Sequence, residues 1–567
     1  MSVVLSEHLS LLAAAPDGIQ KLRGLILELA VRGKLVPQDP NDEPASELLK
    51  RIAQERVWLE KEGVCKKAKA VPLFGKNELL FEAPQQWEWT RLGQLTMTIT
   101  DGTHHTPTYL PSGVPFISVK DVDGATVSFA DCRYISEAEH KQINQRCNPE
   151  RGDMLLCRIG TLGRPTIVDT DRPFSLFVSV GLIKLPKTVG LSRYLHLVLS
   201  SPCLATQYDQ IKAGGSHTNK LNLGDIPTLH IPVPPLAEQH RIVAKVDELM
   251  ALCDRLETEQ TDAEAAHARL VETLLGTLTQ STDATELAAN WQRLAEHFDT
   301  LFTTESSLDA LKQTILQLAV MGKLVPQDPD DEPASELLKR IAKERTRLQA
   351  KGVSKTLKPL PSIGKDNQPS GWDSASLPEL CEIGGGATPS KAKSAYWGEG
   401  IPWVSPKDMK VDHILDTQDH VTELALSETR LPRIKPRSLL VVVRGMILLH
   451  SFPVATTQIE VAINQDMKSL TPFFPELLPY LALVFRGWKA QILELVDRST
   501  HGTCKLQSEK LFAFRFGIPP LAEQHRIVAK VDELTALCDR LKADLIESRN
   551  RQARLSATLI ESALQTA

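Results

Sequence analysis

Two neighbouring histidines, His104 and His105, and a run of three glycines, Gly384-Gly385-Gly386, are the residues of this 567-residue chain whose types and spacing invite chemistry. A His pair could supply two nitrogen ligands to a metal, but no third ligand stands at a useful spacing, so an exposed polar loop is expected. The glycine run could cradle an anion. No helix start with a Lys or Ser/Thr partner follows it, and a surface loop is expected instead. G-x-x-x-x-G-K-[ST], G-x-G-x-x-G and H-E-x-x-H are all absent, as is an Asn-Pro-Pro-aromatic segment that would hold a flipped adenine in a methyltransferase. No nucleophile, base and orienting group can be assembled, so a non-catalytic protein is expected.

Whatever these residues do, a helical framework written twice must position them. Pro234 to Leu256 returns at Pro519 to Leu541 with one change, Met250 to Thr535. Each copy opens on Pro-Pro, which fits the first turn of a helix, so helices are expected from Leu236 and Leu521. Ile242, Val246, Leu249, Cys253 and Leu256 recur at steps of four and three, as do Ile527, Val531, Leu534, Cys538 and Leu541. That spacing predicts a two-stranded coiled-coil seam in which the two copies are each other's partner. The alternative is two amphipathic helices on separate cores, which would not require a near-verbatim stripe. A second repeat, Gly33 to Pro40 and Gly322 to Pro329, continues into Asp42 to Ala53 and Asp331 to Ala342. Its Gly reads as a helix stop and Gln-Asp-Pro as a turn. The next helix is capped by Ser46 or Ser335, or starts earlier at Glu43 or Glu332 because of Pro44 and Pro333.

The chain is thus a duplication with two unshared inserts. The expected segments are 1–84 (helical), 85–233 (first insert), 234–371 (central helices and spacer), 372–518 (second insert) and 519–567 (last helix). Short apolar runs between turn dipeptides, at Val114 to Val119, Met154 to Cys157, Leu176 to Leu185, Leu439 to Val443 and Met446 to Leu449, predict strands in both inserts. Tyr194 to Leu199 reads as a short helix, and Leu477 to Phe485 as an apolar helix or buried strand. The fold class is α+β: two mixed α/β domains separated by long helices, with an internal pseudo-twofold repeat.

A net charge of −5 gives no vote for nucleic acid, and the nine cysteines show neither C-x-x-C nor zinc spacing. A reducing cytoplasm is the expected location, with no signal peptide and no stretch long enough to cross a membrane.

The doubled Pro-Pro-Leu-Ala-Glu-Gln starts, the doubled Gly-Lys-Leu-Val-Pro-Gln-Asp-Pro segments and the order insert, helix, insert, helix resemble the specificity subunit of a type I restriction–modification enzyme across nearly the whole chain. The resemblance implies a non-catalytic subunit whose inserts are target recognition domains, each reading one half of a split, asymmetric site in double-stranded DNA. The helices would form an antiparallel coiled coil that fixes the spacer. Two methylation subunits and two restriction subunits would be its partners. S-adenosylmethionine, ATP and Mg2+ would belong to those partners, and this subunit would hold no cofactor and no metal.

Acidic and basic residues nearly balance within each insert, unlike a lone DNA-binding domain. Local basic faces are still expected, from Lys120, Arg158, Arg164, Lys212 and Lys220 in the first insert and Lys407, Lys410, Arg444, Lys505 and His501 in the second. Each reads equally as a solvated surface charge. Thr103, His104, His105 and Asn219 have the chemistry for base edges or phosphates, with Lys220 and Lys505 assigned to phosphate and the His pair to bases. Asn219-Lys220-Leu221 and Cys504-Lys505-Leu506 read as matching framework in the two inserts.

Overall fold

The computed structural model describes residues 12–63, 79–187, 190–214, 219–351, 369–498 and 504–566. They divide into two units, residues 1–263 with 548–567 and residues 264–547. Each long helix, Leu236–Gln280 and Leu521–Thr566, therefore contributes one end to each unit. The first runs through Gly276 and ends at Gln280, where the polar run Gln280-Ser281-Thr282-Asp283 begins.

In the first unit the helix Gly18–Val31 follows a turn in which Asp17 takes φ 55°. It stops where expected: Gly33 has φ 69°, and a Cβ there would stand 2.6 Å from Pro84 Cγ. Gly322 repeats this at φ 71° and 2.7 Å from Pro369 Cγ, so conformation and close approach both require glycine. The next helices, Ala45–Lys61 and Ala334–Ala350, begin directly after Pro44 and Pro333 with no side-chain cap, which removes the capping role considered for Ser46 and Ser335.

The repeated stripes are each spent inside one unit. Ile242, Val246, Leu249 and Cys253 are buried with Leu22, Ile26 and Leu29, and Leu559, Ile560, Ala563 and Leu564 join that cluster while Leu256 packs at its margin. Ile527, Val531 and Cys538 are buried with Leu311, Ile315 and Leu318, together with Val271, Leu275 and Leu278; Leu534 and Leu541 pack at the margin. The direct pairing of the two copies is thereby corrected: each covers the short helix of its own repeat. A stripe at steps of three and four fits any helix-on-helix contact, and each fully buried Ile or Leu in it contributes roughly 2 kcal/mol wherever the covering surface comes from.

Both inserts are closed at the root by an antiparallel pair of strands, Glu88–Arg91 with His230–Val233 and Asp373–Ser376 with Arg515–Ile518. Beyond the root, the first unit holds a four-stranded antiparallel sheet in the order Thr98–Asp101, Val180–Lys184, Met154–Cys157, Gly163–Ile167. A three-stranded sheet places Val114–Ile117 between Arg133–Ile135 and, in parallel, Ser175–Leu176. The helix Ser192–Ser200 appears as expected. The second unit carries a five-stranded sheet, Cys381–Gly385, Met467–Pro472, Leu439–Val442, Val454–Thr457, His413–Ile414. Its three-stranded sheet centres on Trp397–Val404, parallel to Ala462–Ile463. Leu478–Gly487 is a buried helix, and Met446–Leu449 is a turn of 3-10 helix rather than the strand expected. The eight described cysteines are buried thiols.

Candidate nucleic-acid interface

The candidate residues of the first insert gather at one corner, where the strand Thr98–Asp101 runs out into the loop Gly102 to His105. Gly102 is required there, because a Cβ would stand 2.0 Å from Leu176 O. Thr103 N–H donates to Leu176 O (2.9 Å) and Thr103 O accepts from Val178 N–H (3.0 Å), which fixes the loop on the adjacent sheet. From this base the His104 imidazole stands exposed, its Nε2 3.0 Å from Asp101 Oδ2. His105 Nδ1 lies 2.6 Å from Thr103 Oγ1.

Asp101 is buried and also accepts from the guanidiniums of Arg146 and Arg158. Arg158 itself is only 2% exposed; its Nε donates to Leu221 O (3.1 Å) and its Nη1 to Val178 O (3.3 Å). Its expected place on a local basic face is thereby corrected: buried on Asp101, Arg158 is instead a structural ion that ties loop, sheet and hairpin together. A buried carboxylate without such partners would cost several kcal/mol. Cys157, the residue before it, and Cys147 have thiols pushed up to about 11 and about 12 by burial, which keeps both protonated and unreactive.

The hairpin Lys212–Ala213 with Lys220–Leu221 docks on the same corner, since Gly160 N–H donates to Asn219 O (3.1 Å) and Leu221 N–H to Arg158 O (2.8 Å). Thr103, His104, His105, Asn219 and Lys220 are thus brought into one neighbourhood. Lys212 is exposed and pairs with Asp209 at 2.7 Å. Lys120 is exposed and donates to Asp131 O at 2.8 Å. Arg164 is exposed at φ 48°, a left-handed backbone that a non-glycine residue rarely adopts, beside Gly124.

The second unit builds the same corner with other side chains. Gly386 is required where Gly102 was, its Cβ position lying 2.1 Å from Ile463 O, and Ala387 N–H donates to Ile463 O (3.0 Å). The glycine run therefore ends the strand Cys381–Gly385, with Gly386 held against the backbone of Ile463, and is not a free surface loop. Gly445 N–H donates to Cys504 O (3.0 Å) and Leu506 N–H to Val443 O (2.9 Å), so Asn219-Lys220-Leu221 and Cys504-Lys505-Leu506 hold matching positions. By the same bonds Arg158 corresponds to Val443 and Ile159 to Arg444. The two arginines are one residue out of step, and a one-residue shift turns a strand side chain to the opposite face. Arg444 accordingly is half-exposed, 3.7 Å from Asp466, whereas Arg158 is sealed. Lys407, Lys410 and Lys505 are exposed. His501 lies outside the described residues, as do His217 and Thr218.

Several residues that organise the corner escaped the sequence reading. Asp101 and Arg146 are single charged residues in unremarkable contexts, and no local pattern marks them. Ser118 and Ser405 each donate their backbone N–H to the carboxylate three residues on, Asp121 and Asp408, at 2.8 Å in both. The signal for these was present: Ser-x-Lys-Asp occurs in each insert, at 118–121 and 405–408. At the roots, Trp87 Nε1 donates to Glu238 and Trp372 Nε1 to Glu523, which explains the Glu of the repeated Leu-Ala-Glu-Gln. Lys34 donates to Leu564 O (3.0 Å) and Lys323 to Thr279 O (2.7 Å) and Ser281 O (2.8 Å). Each repeated Gly-Lys thus places its cation at the C-terminal end of a long helix, where the helix dipole favours positive charge. No group of three or more His, Cys, Asp or Glu side chains placed to hold a metal ion occurs among the described residues.

The family model for the type I restriction modification DNA specificity domain matches residues 84–265 and 369–548. The chain is 35% identical to the specificity subunit of the type I restriction enzyme EcoAI from Escherichia coli, over 96% of this chain and 94% of that one. It is 36% identical to the EcoEI specificity subunit of the same organism, again over 96% and 94%. A shorter likeness, 29% over 32% of this chain and 40% of the other, reaches the MjaIX specificity subunit of Methanocaldococcus jannaschii. With two family matches falling on the two duplicated halves and a likeness running almost end to end, the chain belongs to the family of type I restriction–modification DNA specificity subunits.

Proposed function

We propose that this chain is the sequence-reading, non-catalytic subunit of a cytoplasmic restriction–modification complex, and that its two inserts each read one half of a split DNA site. The carrying observation is the corner just described. Both units keep its backbone bonds, Gly160 N–H to Asn219 O and Gly445 N–H to Cys504 O, while the side chains mounted on it differ in charge and direction. A kept frame with exchanged donors and acceptors is what two readers of different base edges need. The long helices, associating antiparallel, set the spacer between half-sites and offer the surface on which two methylation subunits dock, with two restriction subunits joining that core. S-adenosylmethionine, ATP and Mg2+ are used by those partners.

The test is exchange of residues 85–233 for the corresponding insert of another specificity subunit, followed by long-read mapping of adenine methylation in cells that also express one methylation subunit. One half-site is expected to change while the other half and the spacer stay. Both halves changing together, or no motif with either chain, overturns the two-reader model.

A further inference from the structure

Resting on that functional reading, we propose that His104 reads an amino group on a base edge of the half-site taken by the first insert, with Asp101 as the positioning residue that turns its acceptor nitrogen outward. The imidazole is exposed on a loop pinned at both sides by backbone bonds from Thr103. A carboxylate held between two guanidiniums is an acceptor only, so the nitrogen facing it, Nε2 at 3.0 Å from Oδ2, carries the proton. A neutral ring with Nε2 protonated has Nδ1 as its acceptor. In the major groove the groups that donate to such an acceptor are adenine N6 and cytosine N4.

Burying a charged aspartate is costly and is compensated here by Arg158, itself buried and bonded to the carbonyls of Leu221 and Val178. The pair therefore fixes an exposed histidine from beneath. The second unit supplies an independent indication. Asp101 pairs across the sheet with Gly181, and the absence of a side chain at 181 leaves room for Arg158, whose Cδ is 3.4 Å from the Cβ position. At the matching place Gly385 pairs with Lys468, whose Nζ lies 3.2 Å from the Cβ position of Gly385. Aspartate, arginine and glycine are thus replaced together by glycine, valine and lysine, on an unchanged frame. An ion pair on one frame and an ammonium on the other put different donors and acceptors at matching positions, as two readers of different base edges require.

The experiment uses the full chain with its methylation subunit. His104→Ala removes an exposed ring and is expected to relax one position, an adenine or a cytosine, in the half-site whose letters follow residues 85–233, leaving the other half and the spacer intact. Duplexes carrying purine for adenine, or 2-pyrimidinone for cytosine, at that position lack the amino group. Wild type is expected to bind them about 5- to 150-fold more weakly than the natural duplex, and the His104→Ala complex equally well. Asp101→Asn is expected to relax the same position. An unchanged motif with His104→Ala overturns the inference and leaves the two-reader model standing, as does uniform weakening on all sequences with a reduced salt slope, which would make His104 a phosphate contact. Asp101→Asn weakening every position alike removes its positioning role. Absence of any motif with wild type overturns both.

Discussion

The indole Nε1 of Trp87 donates to Glu238 Oε2 at 3.0 Å, and this buried bond locks the root of the first insert to the start of the helix Leu236–Gln280. Trp372 and Glu523 make the same bond at 3.0 Å in the second unit, and each pair is separated by 151 residues. Replacing either tryptophan by phenylalanine keeps the ring and removes the donor. Trp87→Phe is therefore expected to destabilise its unit by about 1–3 kcal/mol, the cost of leaving a buried acceptor unpaired, read as a lowered melting temperature of the full chain.

The same glutamates give the chain a pH dependence of defined sign. Burial holds the carboxyls of Glu238 and Glu523 above the ordinary value near 4.5, against the lowering effect of the tryptophan bonds. A raised folded value means that stability from these groups is complete below the unfolded value and is lost as pH rises through the folded one. A Glu238→Gln, Glu523→Gln double variant keeps an acceptor for each indole and has no such loss. Its melting temperature is expected to improve relative to wild type between pH 4 and 7; a constant gap across that range would contradict the assignment.

Lys34 and Lys323 each meet carbonyls at the end of a long helix, so their loss should be felt locally. Lys34→Met is expected to speed amide exchange in the last turn of Leu521–Thr566, and Lys323→Met in the last turn of Leu236–Gln280, each at a cost of about 0.5–1.5 kcal/mol.

Arg158 and Arg444 look alike in sequence and should behave oppositely. Arg158→Leu leaves buried Asp101 short of a partner and is expected to cost about 3–5 kcal/mol in thermal or denaturant unfolding. Arg444→Ala, half-exposed and 3.7 Å from Asp466, is expected to stay within about 0.5 kcal/mol of wild type while weakening DNA binding in the assembled complex.

The sequence by itself determined the duplication, the starts of the two long helices at Leu236 and Leu521, the glycine stops at Gly33 and Gly322, and the family, because these rest on local periodicity, on backbone conformations that only certain residues adopt, and on verbatim repetition. Only the tertiary structure decided what each pattern packs against. The stripe from Ile242 to Cys253 specifies a buried helix face but not its cover, and the cover is Leu22, Ile26 and Leu29 rather than the second copy of the stripe. Likewise, a basic residue at the end of a strand is available or sealed according to register, since side chains alternate between faces at every step. That single-residue shift, fixed by bonds between strands far apart in the chain, buries Arg158 on Asp101 and leaves Arg444 half-exposed, and nothing local to either arginine encodes it.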